Sequence, residues 1–126
     1  MTLWTDDRRF MWYGRSGYVY RARLSCRRSI EAAAQMVTQF FLTRRAEVQE
    51  QSAATRIRFS RGKRPWSWFF VSETRQPQSI DVTLSGESET TVVSIEYHVT
   101  NAFGAIVAPC TFTREIADLR AEMETP

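Results

Sequence analysis

Cys26 is followed directly by Arg27, Arg28 and Ser29 at the start of a helical pattern, and His98 stands two residues after Glu96 in an alternating run. Flanking cations and a helix N-terminus lower a thiol pKa and favour the reactive thiolate. A carboxylate that orients an imidazole makes a general base. Each residue also has an ordinary reading, Cys26 as a small packed thiol and His98 as an exposed or partner-facing member of a strand's polar side. Cys110, 84 positions from Cys26, forms with it neither a metal-ligand spacing nor a small disulfide framework. Glu87 and Glu89 read as a solvated turn, and the chain has no glycine-rich phosphate loop. The sequence therefore offers no catalytic constellation, no metal site and no cofactor motif, and the expectation is a non-catalytic protein.

The arginines are more informative. Lys63 is the only lysine among 17 basic residues. Through Arg75 the chain has 15 basic and 6 acidic residues, a net +9; from Gln76 onward, 2 basic and 8 acidic residues give −6. Arginine makes planar, bidentate contacts with phosphate and carboxylate and stacks on aromatic faces, whereas lysine is a flexible point charge. Arg21, Arg23, Arg56, Arg58 and the Arg61 to Arg64 turn, which leads into Trp66 and Trp68, are the candidate surface for an anionic or protein partner. Basic residues interleaved with aromatics also suit single-stranded nucleic acid, where charges follow phosphates and rings stack on bases. The competing reading puts Trp66, Trp68 and Phe70 in the core and ascribes the excess of arginine to composition. Near the start, Trp4, Phe10, Trp12 and Tyr13 alternate with charged residues, a mixture that suits an interface, so a self-associating module or homodimer is a further expectation.

Positioning these residues requires strands and helices. Tyr18, Tyr20, Ala22 and Leu24 alternate with Val19, Arg21 and Arg23, the pattern of a half-buried strand. Ser29 caps a helix over about residues 29–43, in which Ile30, Ala33, Ala34, Val37, Phe40 and Phe41 recur at three- and four-residue steps. Strands over 46–51 and 56–60 read as a hairpin, and the aromatic run 66–71 reads as a central strand. Ile80, Val82 and Leu84, then Thr91, Val93, Ile95, Tyr97 and Val99, supply the inward sets of a second hairpin. Phe112, Ile116, Leu119 and Met123 mark a closing helix. The fold expected is α+β, an antiparallel sheet of about six strands covered on one face by two helices, in the order strand, helix, about five strands, helix. At 126 residues this is a single domain over 1–126, with residues 1–16 an N-terminal arm that is either mobile or an added strand. No apolar stretch approaches the ~20 residues needed to span a bilayer, and the N-terminus lacks a secretory layout, so a cytoplasmic location without membrane contact is expected.

This order resembles the helix-grip fold of the START and polyketide-cyclase-like superfamily. Tyr18-Val-Tyr-Arg-Ala-Arg-Leu-Ser25 with the helix at Ser29 resembles that superfamily's first strand and helix. The stretch from Thr90 to Tyr97 and the closing segment from Ile116 to Met123 are similar to its last strands and C-terminal helix. The resemblance implies a cavity for an apolar small molecule between sheet and final helix, lined here by Tyr18, Tyr20, Phe40, Phe41, Ile95 and Tyr97. The superfamily has seven strands and a long final helix, and no binding residue of it carries over.

Overall fold

The computed structural model of the chain describes residues 3–12, 15–52, 55–61, 78–87, 90–101 and 110–124. The described residues form six strands, β1 (Leu3–Trp12), β2 (Arg15–Cys26), β3 (Glu47–Ser52), β4 (Arg56–Arg61), β5 (Gln78–Glu87) and β6 (Thr90–Asn101), with period-two alternation plainest in β2, β4, β5 and β6. They form one antiparallel sheet in the order β1-β2-β6-β5-β4-β3. Two helices, α1 (Ile30–Thr43) and α2 (Cys110–Glu124), complete the α+β architecture. Leu3–Trp12 of the N-terminal arm form the added strand β1, and α1 follows the second strand of the sheet. The strand expected over 66–71, the turn containing Arg64 and the apolar segment 102–109 lie outside the described residues. No helix among the described residues is long and apolar enough to cross a membrane.

Each helix has a local cause. The Ser29 Oγ accepts from the Ala32 amide at 3.2 Å, satisfying one of the donors left open at a helix start. At the other end Arg45 takes a positive φ of 68°, which lets the Ala46 amide reach back to the Phe41 carbonyl at 3.0 Å. The apolar stripe of α1 buries Ala33, Ala34, Val37, Phe40 and Phe41, while α2 buries Phe112, Ile116, Leu119 and Met123. Both stripes join one core with Tyr20, Ala22, Leu24, Ile57, Phe59, Ile80, Val82, Val93, Ile95 and Tyr97. The helices therefore cover the same face of the sheet, and the odd-numbered positions of β2 and even-numbered positions of β6 are left on the other. The edge strand β3 is exposed along its whole length and carries a bulge between Val48 and Glu50.

Candidate functional site

Strand register arranges the outer face in transverse rows. In one row Arg21 lies opposite Glu96, Glu96 opposite Asp81, Asp81 opposite Arg58, and Arg58 opposite Glu50. Arg21 Nε is 3.1 Å from Glu96 Oε2, and Arg58 Nε donates to Asp81 Oδ1 at 2.7 Å. The hydrogen bond to Asp81, and then its charge, raise the Arg58 pKa above its ordinary value. His98 Nε2 lies 2.5 Å from Glu96 Oε1 and 3.7 Å from Asp81 Oδ2, so the expected Glu96–His98 pair is present on the outer face. The adjoining row runs Arg23, Ser94, Thr83, Arg56, Ser52. Arg21, Arg23, Arg56, Thr83 and Ser94, with the carboxylates of Asp81 and Glu96, line a depression of about 410 Å³, the two hydroxyl residues standing between the arginines. Arg56 also borders a smaller hollow of about 190 Å³ with Glu50, Ser52 and Arg58.

Arg61 does not belong to this surface. It shares the inward parity of Ile57 and Phe59 on β4 and is 3% exposed. Glu115, also buried, faces it from α2: Nη1 donates to Oε2 at 2.9 Å and Nη2 to Oε1 at 3.0 Å. Gln78 Oε1 accepts from Nε and Nη2 at 3.2 and 2.9 Å, and the Arg44 carbonyl accepts from Nη1 at 3.4 Å. All five guanidinium N–H groups are thereby used within the protein. No donor remains for an external anion, which corrects the expectation of a surface turn. The physical reason is that a buried charge is tolerated when a bidentate partner and further acceptors replace its water.

Of the rest of this cluster the sequence had marked only Tyr97, as an inward residue. Tyr97 donates to Glu115 Oε1 at 2.6 Å; burial, followed by the nearby Glu115 charge, pushes the Tyr97 pKa well up. Arg44, at the end of α1, reaches Asp118 on α2 at 2.9 Å and lies 4.5 Å above the Phe40 ring. Glu115 stands three residues after Phe112 and four before Leu119, so helical spacing alone places it on the buried stripe. Its charge is what hid it.

The residues expected to line an apolar cavity all face inward where they are described. Tyr20, Phe40, Phe41, Ile95 and Tyr97 are buried, while the Tyr18 side chain is outside the described set. Phe112 stacks on Tyr97 with centroids 4.4 Å apart and lies 5.9 Å from the Tyr20 ring; Phe41 sits 6.2 Å from Tyr97. The Tyr20 hydroxyl is 3.1 Å from Thr113 Oγ1. These rings therefore pack upon one another across the sheet, α1 and α2. Cys26 is a free thiol buried in the same core, at 4% exposure, as its reading as a small packed residue expects. The side chain of Cys110 lies outside the described set.

No protein-family model matches the chain, and no curated protein matches it significantly. Solved structures do. The crystal structure of CalU16 from Micromonospora echinospora is similar with a TM-score of 0.64 and 10% identity, over 98% of this chain and 85% of that one. The solution structure of CalU16 gives 0.60 and 9%, over 98% and 75%. A conserved protein of unknown function from Enterococcus faecalis gives 0.51 and 10%, over 95% and 78%. At such identities the likeness is one of fold alone.

Proposed function

We propose that this chain is a non-catalytic binding domain that takes an anionic partner on the outer face of its sheet. The observation that carries this reading is the meeting of Arg21, Arg23 and Arg56, from two strands separated in the sheet by β5 and β6, around one depression with Thr83 and Ser94 hydroxyls between them. Hydroxyls and guanidinium groups together make a donor-rich surface suited to phosphate or carboxylate oxygens. Exposed ion pairs such as Arg21–Glu96 are worth only about 0–1 kcal/mol, so an incoming anion can exchange for them at little cost. Arg56 meets no carboxylate within ion-pair distance among the described residues, which makes it the anchor. Arg58, held between Asp81 and Glu50, supports the rim.

Anisotropy titrations with a labelled single-stranded oligonucleotide and with labelled polyglutamate test this. Engagement of about three arginines predicts a roughly ten- to twentyfold loss of oligonucleotide affinity between about 50 and 200 mM salt. Arg56→Glu should weaken binding of either probe. Absence of low-salt binding to both, or binding indifferent to Arg56→Glu, would sink the reading.

The resemblance of the strand and helix order to the helix-grip fold carries a second reading, a domain that admits an apolar small molecule between sheet and α2 by displacing the packed rings of Tyr20, Tyr97 and Phe112. Native mass spectrometry should then show a retained adduct that is lost on denaturation. A bare-chain mass under gentle conditions counts against it.

A further inference from the structure

The two edges of the sheet are built differently. β3 is six residues long, bulged, and carries Glu47 and Glu50, features that discourage further strand pairing. β1 is ten residues long, contains no proline, and pairs with β2 in unbroken register from Leu3↔Leu24 to Trp12↔Arg15. Among the described residues no strand covers its other edge. A long, regular edge presents a row of backbone donors and acceptors to any strand that fits it.

The β1 sequence, Leu-Trp-Thr-Asp-Asp-Arg-Arg-Phe-Met-Trp, fits itself. Two copies joined edge to edge in antiparallel fashion are related by a two-fold axis perpendicular to the sheet. That rotation keeps every residue on its own face, so only residues of equal parity stand opposite one another. With the axis at Asp7, Leu3 is opposite Met11, Trp4 opposite Phe10, Thr5 opposite Arg9 and Asp6 opposite Arg8, each pair occurring twice. Apolar positions meet apolar ones, and each acid at position 6 meets a base. With the axis at Arg8, Asp7 would face Arg9 and Trp4 would face Trp12, but Asp6 would stand opposite Phe10 and Thr5 opposite Met11, with Arg8 opposite itself, so it is the matching of apolar positions that favours the Asp7 register. Opposite charges placed directly across a ladder stabilise it, and like charges destabilise it.

We infer that the partner of the β1 edge is a second copy of this chain, joined through antiparallel β1–β1 pairing centred on Asp7 into one continuous sheet. The single unfavourable position is Asp7, which faces its own copy. It therefore limits affinity and leaves the pairing reversible. The inference does not rest on the anion-binding reading, and the two are read separately, one by oligomeric state and the other by probe binding, although Asp6 stands opposite Arg21 within the chain.

Sedimentation equilibrium of the full chain, with circular dichroism to verify folding, tests the pairing through its register. Asp6→Arg places Arg opposite Arg8 twice and should weaken the dimer at least about tenfold; Arg8→Asp should do the same. The double variant Asp6→Arg/Arg8→Asp recreates both opposite-charge pairs with their signs exchanged and should return the dimer to within about threefold of the parent. Asp7→Asn, which removes the central repulsion while keeping size, should tighten it. A strictly monomeric parent overturns the inference. So does a dimer that either single reversal leaves intact, or one that the double reversal fails to restore while Asp7→Asn leaves it unchanged.

Discussion

The buried pair of Arg61 and Glu115 gives the sharpest energetic prediction. In Arg61→Met the Glu115 carboxylate keeps only the Tyr97 hydroxyl and an Arg44 nitrogen 3.9 Å away, at a site 3% exposed. Removing one member of such a pair strands a charge in a water-poor interior, at a cost of about 3–5 kcal/mol. That is a large share of a domain stability of about 5–15 kcal/mol. Glu115→Leu strands the guanidinium instead and should cost a similar amount. In Arg61→Met/Glu115→Leu both charges are gone. Gln78 and Tyr97 then lose partners, at roughly 1–3 kcal/mol each, but relief from desolvating two ions returns roughly 1–4 kcal/mol. The double variant should therefore lose no more than either single one, whereas additivity would require about 6–10 kcal/mol. Urea unfolding of the four proteins, compared at unchanged m, measures this cycle. A double variant as destabilised as the sum of its parts, or an Arg61→Met loss below about 1 kcal/mol, would refute the argument.

Two further outcomes follow from the same region. Tyr97 has a folded pKa raised above its unfolded value near 10. Its neutral form is thus favoured by folding, and the stability it supplies is complete below pH ~10 and falls as pH rises beyond it, by about 1.4 kcal/mol per unit. Tyr97→Phe should flatten part of that alkaline decline, as followed by urea unfolding at successive pH values. Phe112→Ala removes a ring packed against Tyr97 and Tyr20 and should cost about 3–5 kcal/mol in the same assay. A loss under about 1 kcal/mol would show that α2 is loosely seated.

The outward positions of Arg21 and Arg23, and the inward sets of β5, β6 and α2, were legible in the sequence because their apolar and polar residues keep strict period. β1 was not, because Asp6-Asp7-Arg8-Arg9 puts charge on both parities and alternation cannot sort it. Arg61 failed for the opposite reason. Ending the strand at residue 60 assigns Arg61 to the turn, although the parity of Ile57 and Phe59 continues through it; a lone arginine in a core is too costly to predict, and its compensation lies 54 positions away on another element. Neither Arg61 nor Glu115 is interpretable without the other. The outer rows were only half readable. Sequence placed four arginines outward, yet which acids stand beside them depends on strand order, and the structure sets Glu96 and Asp81 between Arg21 and Arg58.

That long separation also orders events in time. A ribosome adding about 5–20 residues per second delivers Glu115 roughly 3 to 11 seconds after Arg61. β5 and β6 are made within this interval, and until α2 follows them Arg61 lacks its bidentate carboxylate and must keep water in its place. The inner face can dry only when α2 arrives with the matching carboxylate. The last helix in the chain thus acts as the closing signal for the core.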